Sequence, residues 1–276
     1  SSRWEQFVDF MKKHEKSYDS RELFDRRFKV FSDNMDFAEK MNLAQSNYTL
    51  GMSPFADLTE EEFRGYHMKG VSLSRTCDSF RPSGVSTPDE LDWRSTHKVT
   101  DVKDQGQCGS CWSFSATGAM EGAWAISTGE LVSLSEQQRV DCSAGIEYGN
   151  HGCNGGLMDG AFNYAMQNGM CPEVEYTYKA KDGSCQECTP EVTISSCKDV
   201  PANDQISLRE AVSMGPVSIA IEADTRTFQL YSGGVITSSA CGTNLDHGVL
   251  IVGYGEEKST PYWLVKNSWG ASWGEN

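Results

Sequence analysis

Two cysteines two residues apart, Cys108 and Cys111, lie in the stretch DQGQCGSCW, and far downstream stand His247, followed by Gly248, and Asn267, followed by Ser268. Such a cysteine pair fits three chemistries: a redox dithiol, half of a zinc site, or one nucleophilic thiol beside a structural one. Cys111 opens a stretch that reads as helix from about Ser110 through Trp124, and the free N–H groups and dipole of a helix start favour a thiolate. A cysteine nucleophile, an imidazole and an amide to orient that imidazole make an acyl-transfer triad. A redox dithiol belongs after a strand in a βαβ context, whereas a Gly/Gln-rich loop precedes this one. Zinc needs a second ligand pair; His151 and Cys153 are near, but no CxxC or HxxxH partner follows. Taken singly, each residue also has a plain structural explanation: a buried thiol, a satisfied histidine beside a strand, an asparagine in a turn.

The elements that must position these residues change character along the chain. Residues 4–45 read as helix: Trp4, Phe7, Val8 and Met11 recur at i, i+3, i+4, i+7, and Phe24, Phe28 and Phe31 continue a similar spacing. Residues 70–88 are rich in Ser, Gly, Pro and Thr without periodicity, which marks a linker, with a boundary near residue 86. From 87 to about 190 the signals are helix and loop. Ser133 or Ser135 starts a helix through SEQQRVDC, with Ser135 and Gln138 spaced as a capping box, and LMDGAFNYAMQNG is another, ended by Gly169. After 190 the pattern turns to strand in EVTISSC, GPVSIAIEA, GGVITSS, HGVLIVGYG and YWLVKNSW. The fold class is α+β, with a helical half before a β-rich half.

Composition narrows the setting. A chain of 276 residues buries a sizeable core unaided, so ten cysteines point to an oxidising compartment: lysosomal, vacuolar or secreted. One N-x-[ST] sequon, Asn47-Tyr48-Thr49, agrees with it. The net charge of −15 is uneven: residues 1–86 carry 13 basic and 14 acidic groups, residues 87–276 carry 11 and 25. A body this acidic argues against nucleic acid or an anionic membrane as partner. Apolar runs such as Val249–Val252 fall far short of the ~20 residues of a membrane span. The start on SSRWEQF carries no export signal, which is expected to have been removed or left out.

The segment QGQCGSCW resembles the active-site signature of papain-like cysteine proteases, in which His and Asn follow far downstream; here the separations from Cys111 are 136 and 156 residues. DELDWRS, LVSLSEQQRVDC, GCNGGLMDGAF, GPVSIAIEA, DHGVLIVGYG and YWLVKNSWGASWGEN resemble the family as well, and together they span residues 87–276. In the N-terminal part Arg27, Phe31, Asn34 and Asn42 fit the ERFNIN pattern of cathepsin L-like propeptides, with Leu23 in place of Glu and Ala38 in place of Ile. GMSPFAD resembles the GxNxFxD element, with Gly51, Phe55 and Asp57 in place and Ser53 instead of Asn.

The resemblance implies a papain-like fold of two subdomains, a helical half and a β-barrel-like half with the cleft between, preceded by a helical inhibitory propeptide at 1–69. A linker at 70–86 would carry the activation cleavage, between about Phe80 and Thr87, and the peptidase domain at 87–276 would be truncated at its C-terminus. Cys111 is implied as nucleophile, His247 as its ion-pair partner and proton donor, Asn267 as the group that orients His247, and Trp269 as the shield over that bond. Gln105, with the backbone N–H of Cys111, would form the oxyanion hole; Asp246 would tune the field. Gly155 and Gly156 would meet an extended peptide. Leu157, Met158, Ala220, Leu245 and Gly248 would wall an apolar pocket for the second residue before the scissile bond, its floor lying past Asn276. Family matching pairs Cys108 with Cys153 and Cys142 with Cys185 and puts the partner of Cys241 past the end. Cys171 and Cys188 are candidates for an extra bridge, and Cys77 and Cys197 are expected to be free. Implied partners are protein and peptide substrates, the chain's own propeptide and cystatin-like inhibitors; no cofactor or metal is implied, and a monomer is expected. Acid, acting on carboxylates including Asp57, is expected to release the propeptide.

Overall fold

The computed structural model describes residues 1–68, 75–237 and 240–275. The expected boundary at 69/70, the first linker residues 70–74 and the end of the expected strand at 233–239 therefore lie outside the described residues, wholly or in part. The N-terminal helical stretch is two helices, α1 (Arg3–Lys13) and α2 (Arg21–Ala44), rather than one run over 4–45. Local chemistry divides them. Glu15 takes a left-handed φ of 52°, which a helix does not accept, and Ser20 restarts the chain by capping the amide of Leu23. α1 begins with a full capping box between Ser2 and Glu5. The two helices join through aromatic side chains: the ring centre of Phe7 lies 5.4 Å from Phe24, 5.3 Å from Phe28 and 5.2 Å from Phe31. This is the aromatic spacing of the sequence, closed into a core.

The chain then crosses onto the rest of the molecule. β1 (Tyr48–Leu50) and α3 (Glu60–Arg64) complete the N-terminal unit. β2 (Asp78–Ser79) and β3 (Leu91–Asp92) lead to the helical half, made of α4 (Cys111–Thr128), α5 (Glu136–Cys142) and α6 (Met158–Asn168). α4 stops at Gly129 with φ 83° and α6 at Gly169. At the start of α5, Ser135 accepts from the Gln138 amide, but the Gln138 side chain turns to Tyr164 and Gly169, so only half of the expected capping box forms. β4 (Lys198–Asp199), α7 (Gln205–Met214), β5 (Val217–Ile221), α8 (Arg226–Leu230), β6 (Tyr231–Gly234), β7 (His247–Glu257) and β8 (Thr260–Lys266) follow. EVTISSC is not a strand of its own; Val192 makes one isolated bridge to Met170.

β7 is the spine. It pairs antiparallel with β5, β3 and β8, and it is buried from His247 through Gly255 because α4 and α7 pack against it. The sheet is open, so the expectation of a barrel-like half is corrected: among the described residues these strands all pair with β7 and do not close into a ring. No described helix is long and apolar enough to cross a membrane.

Four disulfides form: Cys108–Cys153, Cys142–Cys185, Cys171–Cys188 and Cys77–Cys197. The last corrects the reading of Cys77 and Cys197 as free. β2 pairs in parallel with β4, Asp78 opposite Lys198, which brings the two Cα atoms to 5.1 Å. Cys241 is unbridged and exposed.

β1 adds to β6, Tyr48 opposite Gly234 and Leu50 opposite Tyr231. Gly234 sits at φ 87°, and a Cβ there would lie 2.5 Å from the Asn47 carbonyl oxygen; only glycine allows the approach. Gly234→Ala is expected to unzip this pairing. Amide hydrogen exchange at 48–50 and 231–235 should speed up while α4 stays protected; unchanged exchange at 48–50 would contradict the role given to Gly234.

Candidate active site

The site is built where the start of α4 meets the start of β7. Ser110 is the helix N-cap but makes no side-chain capping bond; its hydroxyl meets the Tyr178 hydroxyl at 2.6 Å. Cys111 opens the helix with no exposed surface. Its Sγ accepts from the Gly248 amide at 3.3 Å, which puts the thiol beside the residue after His247. On the far side of the imidazole, Nε2 lies 2.8 Å from Asn267 Oδ1. Asn267 follows directly on β8, and the β7–β8 ladder, with Leu250 opposite Lys266, carries it there. Asn267 Oδ1 also accepts from the Ser268 amide at 2.7 Å, and that bond fixes the orientation of the carboxamide. The indole of Trp269 lies 4.7 Å from the His247 ring at 32° and is 2 % exposed, so it excludes water from the His–Asn bond. Nδ1 of His247, the nitrogen left over, has no hydrogen-bond partner among the described residues.

Gln105 is held from both ends. Its amide N–H donates to the Ser268 carbonyl at 2.8 Å, and its Oε1 accepts from Ser268 Oγ at 2.7 Å. Its Nε2 donates to Cys108 O at 2.9 Å and to Tyr66 O at 3.3 Å. A carbonyl of the N-terminal unit therefore sits on the donor expected to receive an oxyanion. Tyr66 OH accepts from Gln107 at 3.2 Å, and the Met68 amide donates to Asp246 O at 2.9 Å. The His67 ring lies 5.4 Å from His247 and 5.5 Å from Trp269, and Met68 packs with Cys111 and Trp112. Residues 66–68 thus cover the site from end to end.

That cover sets the charges. Burial pushes the Cys111 thiol up to about 12, against the Gly248 and Trp112 amides that favour the thiolate. Burial first, and then the neighbouring His67, push His247 down to about 3, against the Asn267 bond. Near neutral pH both groups are therefore uncharged. Burial holds His67 below its ordinary value too. Asp246 is pushed up to about 7, chiefly by burial and then by Asp224. Its carboxylate faces the amides of Ala223 and Asp224, so its hydrogen bonds run away from His247.

The expected substrate wall is assembled around the same point. Gly155 has φ 119°, and a Cβ there would meet Met68 at 3.4 Å, so the segment covering the site runs along the glycine wall. Gly248 lies against Met158, Trp112 and Cys111 and pairs with Ala220 across β5 and β7. Gly156, Leu157, Met158, Ala220 and Leu245 are partly buried. The Gly109 amide donates to Cys153 O at 2.8 Å, beside the Cys108–Cys153 bridge, and the two together tie the Cys111 loop to this wall. Cys142–Cys185 lies in the helical half, joining the end of α5 to the loop after α6.

Two features escaped the sequence. The Tyr178 hydroxyl donates to Gln105 O at 2.7 Å as well as meeting Ser110; only the dense aromatic pattern of EYTYK hinted at it. Behind the site Lys103 bridges Glu136 at 2.8 Å and Glu121 at 3.2 Å, a nearly buried cluster that braces α4 against α5 and whose partners are far apart in sequence.

A family model described as papain family cysteine protease matches residues 87–276, and one described as cathepsin propeptide inhibitor domain matches residues 7–63. Among curated relatives, probable cysteine protease RD21B of Arabidopsis thaliana is 49% identical over 260 residues, covering 91% of this chain and 55% of its own length. The senescence-specific cysteine protease SAG39 of Oryza sativa subsp. japonica is 48% identical over 260 residues, 91% of this chain and 76% of its own. The chain thus spans about half the length of the first of these relatives. Among solved structures, digestive procathepsin L 3 of Tenebrio molitor larval midgut superposes with a TM-score of 0.90 at 42% identity, covering 100% of this chain and 91% of its own. A recombinant stem bromelain precursor gives 0.90 at 36%, covering 99% and 89%.

The charge state and the cover make a prediction about reactivity. Brief iodoacetamide treatment of the intact chain at pH 7 should alkylate exposed Cys241 and spare buried, neutral Cys111. Peptide mapping that finds comparable adducts on both would contradict it.

Proposed function

The chain belongs to the papain family of cysteine proteases, and on that footing we propose that it is the zymogen of a cysteine endopeptidase. Its residues 1–69 act as inhibitory propeptide, 70–86 as linker and 87–276 as peptidase domain. The observation that carries the reading is the contact of the Gly248 amide with Cys111 Sγ, beside a His247 ring anchored by Asn267. Once residues 66–68 leave, water reaches both groups, the desolvation penalty falls, and the proton moves from Cys111 to His247 Nδ1. The thiolate adds to a peptide carbonyl, and the oxyanion is received by Gln105 Nε2 and the Cys111 N–H. The His247 imidazolium protonates the leaving amine. Water, deprotonated by His247, then cleaves the thioester. Leu157, Met158, Ala220, Leu245 and Gly248 favour an apolar side chain two residues before the scissile bond.

Acid is the release signal: Glu62 within the N-terminal unit, Glu210 on the linker and the buried His67 favour release as pH falls, and Asp246, raised by burial and Asp224, opposes them. Asp57 accepts from Tyr18 at 2.8 Å and pairs with Lys16 at 3.2 Å, within the N-terminal unit. Burial favours the neutral form of Glu62, but Arg27 and the Thr59 amide outweigh it and hold the carboxylate below its usual value. The Ser83 amide and hydroxyl hold Glu210 low as well, with Gly84 adding to them, so Glu210 clasps the linker. Groups with depressed folded values stabilise fully above about pH 4.5, and that contribution is lost as pH falls through the folded values. His67, also depressed, takes up a proton more readily when released, which favours release below about pH 6.5. Both effects weaken the zymogen as pH falls. An acidic vacuolar or lysosomal compartment, or a secreted setting that acidifies, suits this trigger. The active form acts as a monomer open to cystatin-like inhibitors.

The test is hydrolysis of a peptide amide with Leu or Phe at the second position before the cut, after incubation at pH 4.5 or pH 7.5 under mild reduction. Activity is expected to rise much faster at pH 4.5 and to be absent in Cys111→Ala. Equal rates at both pH values would remove the acid trigger, and activity in Cys111→Ala would remove the mechanism. Tyr178 ties together the flanks of both oxyanion donors, so Tyr178→Phe should lower kcat by about 3- to 10-fold, the worth of one neutral hydrogen bond, with KM little changed. A change confined to KM would contradict that role.

A further inference from the structure

The Cys77–Cys197 bridge is not used by the chemistry above, and it differs in kind from the other three. Those close loops inside residues 87–276. Cys77 stands in the segment before the expected cut and Cys197 in the peptidase domain, 120 residues later. The joint is reinforced around the sulfurs. β2 pairs with β4, Phe80 donates to Asp199 O at 2.8 Å, and the Thr76 amide donates to Asp159 at 2.8 Å. Immediately after it, residues 81–86 are exposed and without regular structure, the form of chain that proteases cut. A cut there falls on the C-terminal side of Cys77.

We propose that Cys77–Cys197 is a thiol-exchange site that keeps the propeptide covalently attached after the linker is cut, so that its release needs a reducing thiol as well as acid. The proposal rests on the peptidase reading. While the bridge holds, the cut propeptide stays at an effective concentration on the order of millimolar and returns to the groove whenever it opens. The co-reactant is a small monothiol or dithiol. One thiolate attacks a sulfur of the bridge and forms a mixed disulfide, and the departing cysteine thiolate takes up a proton. A second thiol then attacks the reductant's sulfur in the mixed disulfide and expels the remaining cysteine, leaving Cys77 and Cys197 as thiols and the reductant as its disulfide, with two electrons and two protons transferred. Access is open: Cys77 and Cys197 are each partly exposed between exposed neighbours. In one other bridge Cys142 is half-buried and Cys185 exposed, whereas Cys108 and Cys171, in the remaining two, are only 2 % and 0 % exposed. Exchange requires thiolate, so acid slows it. Acid loosens the non-covalent contacts while it protects the tether, and the two signals are therefore separable.

The experiment uses full-length Cys111→Ala chain, cut at pH 4.5 by a trace of pre-activated wild-type protein freed of reductant. Intact mass without reduction should show the two pieces still joined, heavier than the uncut chain by one water, and dithiothreitol should separate them. In Cys77→Ser/Cys197→Ser the pieces should part without reductant. Thiol titration of the denatured, unreduced wild-type chain should find two free thiols, Cys111 and Cys241. Separation of the wild-type pieces without reductant, four free thiols, or a cut on the N-terminal side of Cys77 would each overturn the tether. Failure of the wild-type protein to cut the variant at all would instead overturn the peptidase reading, and the tether with it.

Discussion

A thiol and an imidazole form a reactive ion pair only where the surroundings solvate the two charges, and in this chain three residues decide whether they do. With Tyr66, His67 and Met68 lying over them, Cys111 and His247 have no exposed surface, and burial shifts both toward their neutral forms. The proposed inhibition is electrostatic as well as steric. The segment occupies the groove, takes up the Gln105 donor through the Tyr66 carbonyl, and removes the dielectric that the ion pair needs. The geometry proposed for catalysis is meanwhile already set: the His–Asn bond, the packing of Trp269 over it and the brace on Gln105 all exist under the cover. Activation as proposed requires no rebuilding of the site, only its hydration.

The remaining contacts of the N-terminal unit hold those three residues down. The aromatic core of α1 and α2 makes it a body that folds around its own rings. The β1–β6 pairing docks it along one edge, and Asn34 reaches across, receiving Arg226 at 2.9 Å. Phe55 and Phe63 pack edge-on to Trp269 at 5.5 and 5.3 Å, so the shield over the His–Asn bond is also the anchor for the cover. Apolar packing of this kind is indifferent to pH, whereas the Glu210 contact with the linker and the buried His67 are not. Under the proposed acid release, that division would weaken the docking without unfolding residues 87–276.

The parts of the site that sequence carries are those with unusual residue types in a fixed frame. Cys111 at a helix start, His247 at a strand start and Asn267 just past a strand end could be placed because each is bound to an element with its own periodic signal. Gln105 came only with the family resemblance. The helix break near Glu15 was harder, since the aromatic spacing runs on across it, and only Ser20 as a cap betrays the restart. Long-range pairings between very short segments left no signal at all. β2 and β4 are two residues each, and nothing in their composition announces that they bring Cys77 to Cys197. Tyr178 is similar: a hydroxyl acting on a backbone carbonyl 73 residues away looks like any other tyrosine. The barrel-like half failed for another reason, because alternation identifies strands but not whether their edges close.

The claim that the cover suppresses the ion pair can be read directly from thiolate ultraviolet absorbance at pH 6, taken as the difference between wild type and Cys111→Ala. The account predicts no Cys111 thiolate in the intact zymogen and close to one per molecule once residues 1–86 are released. A full thiolate signal already present in the intact zymogen would contradict it.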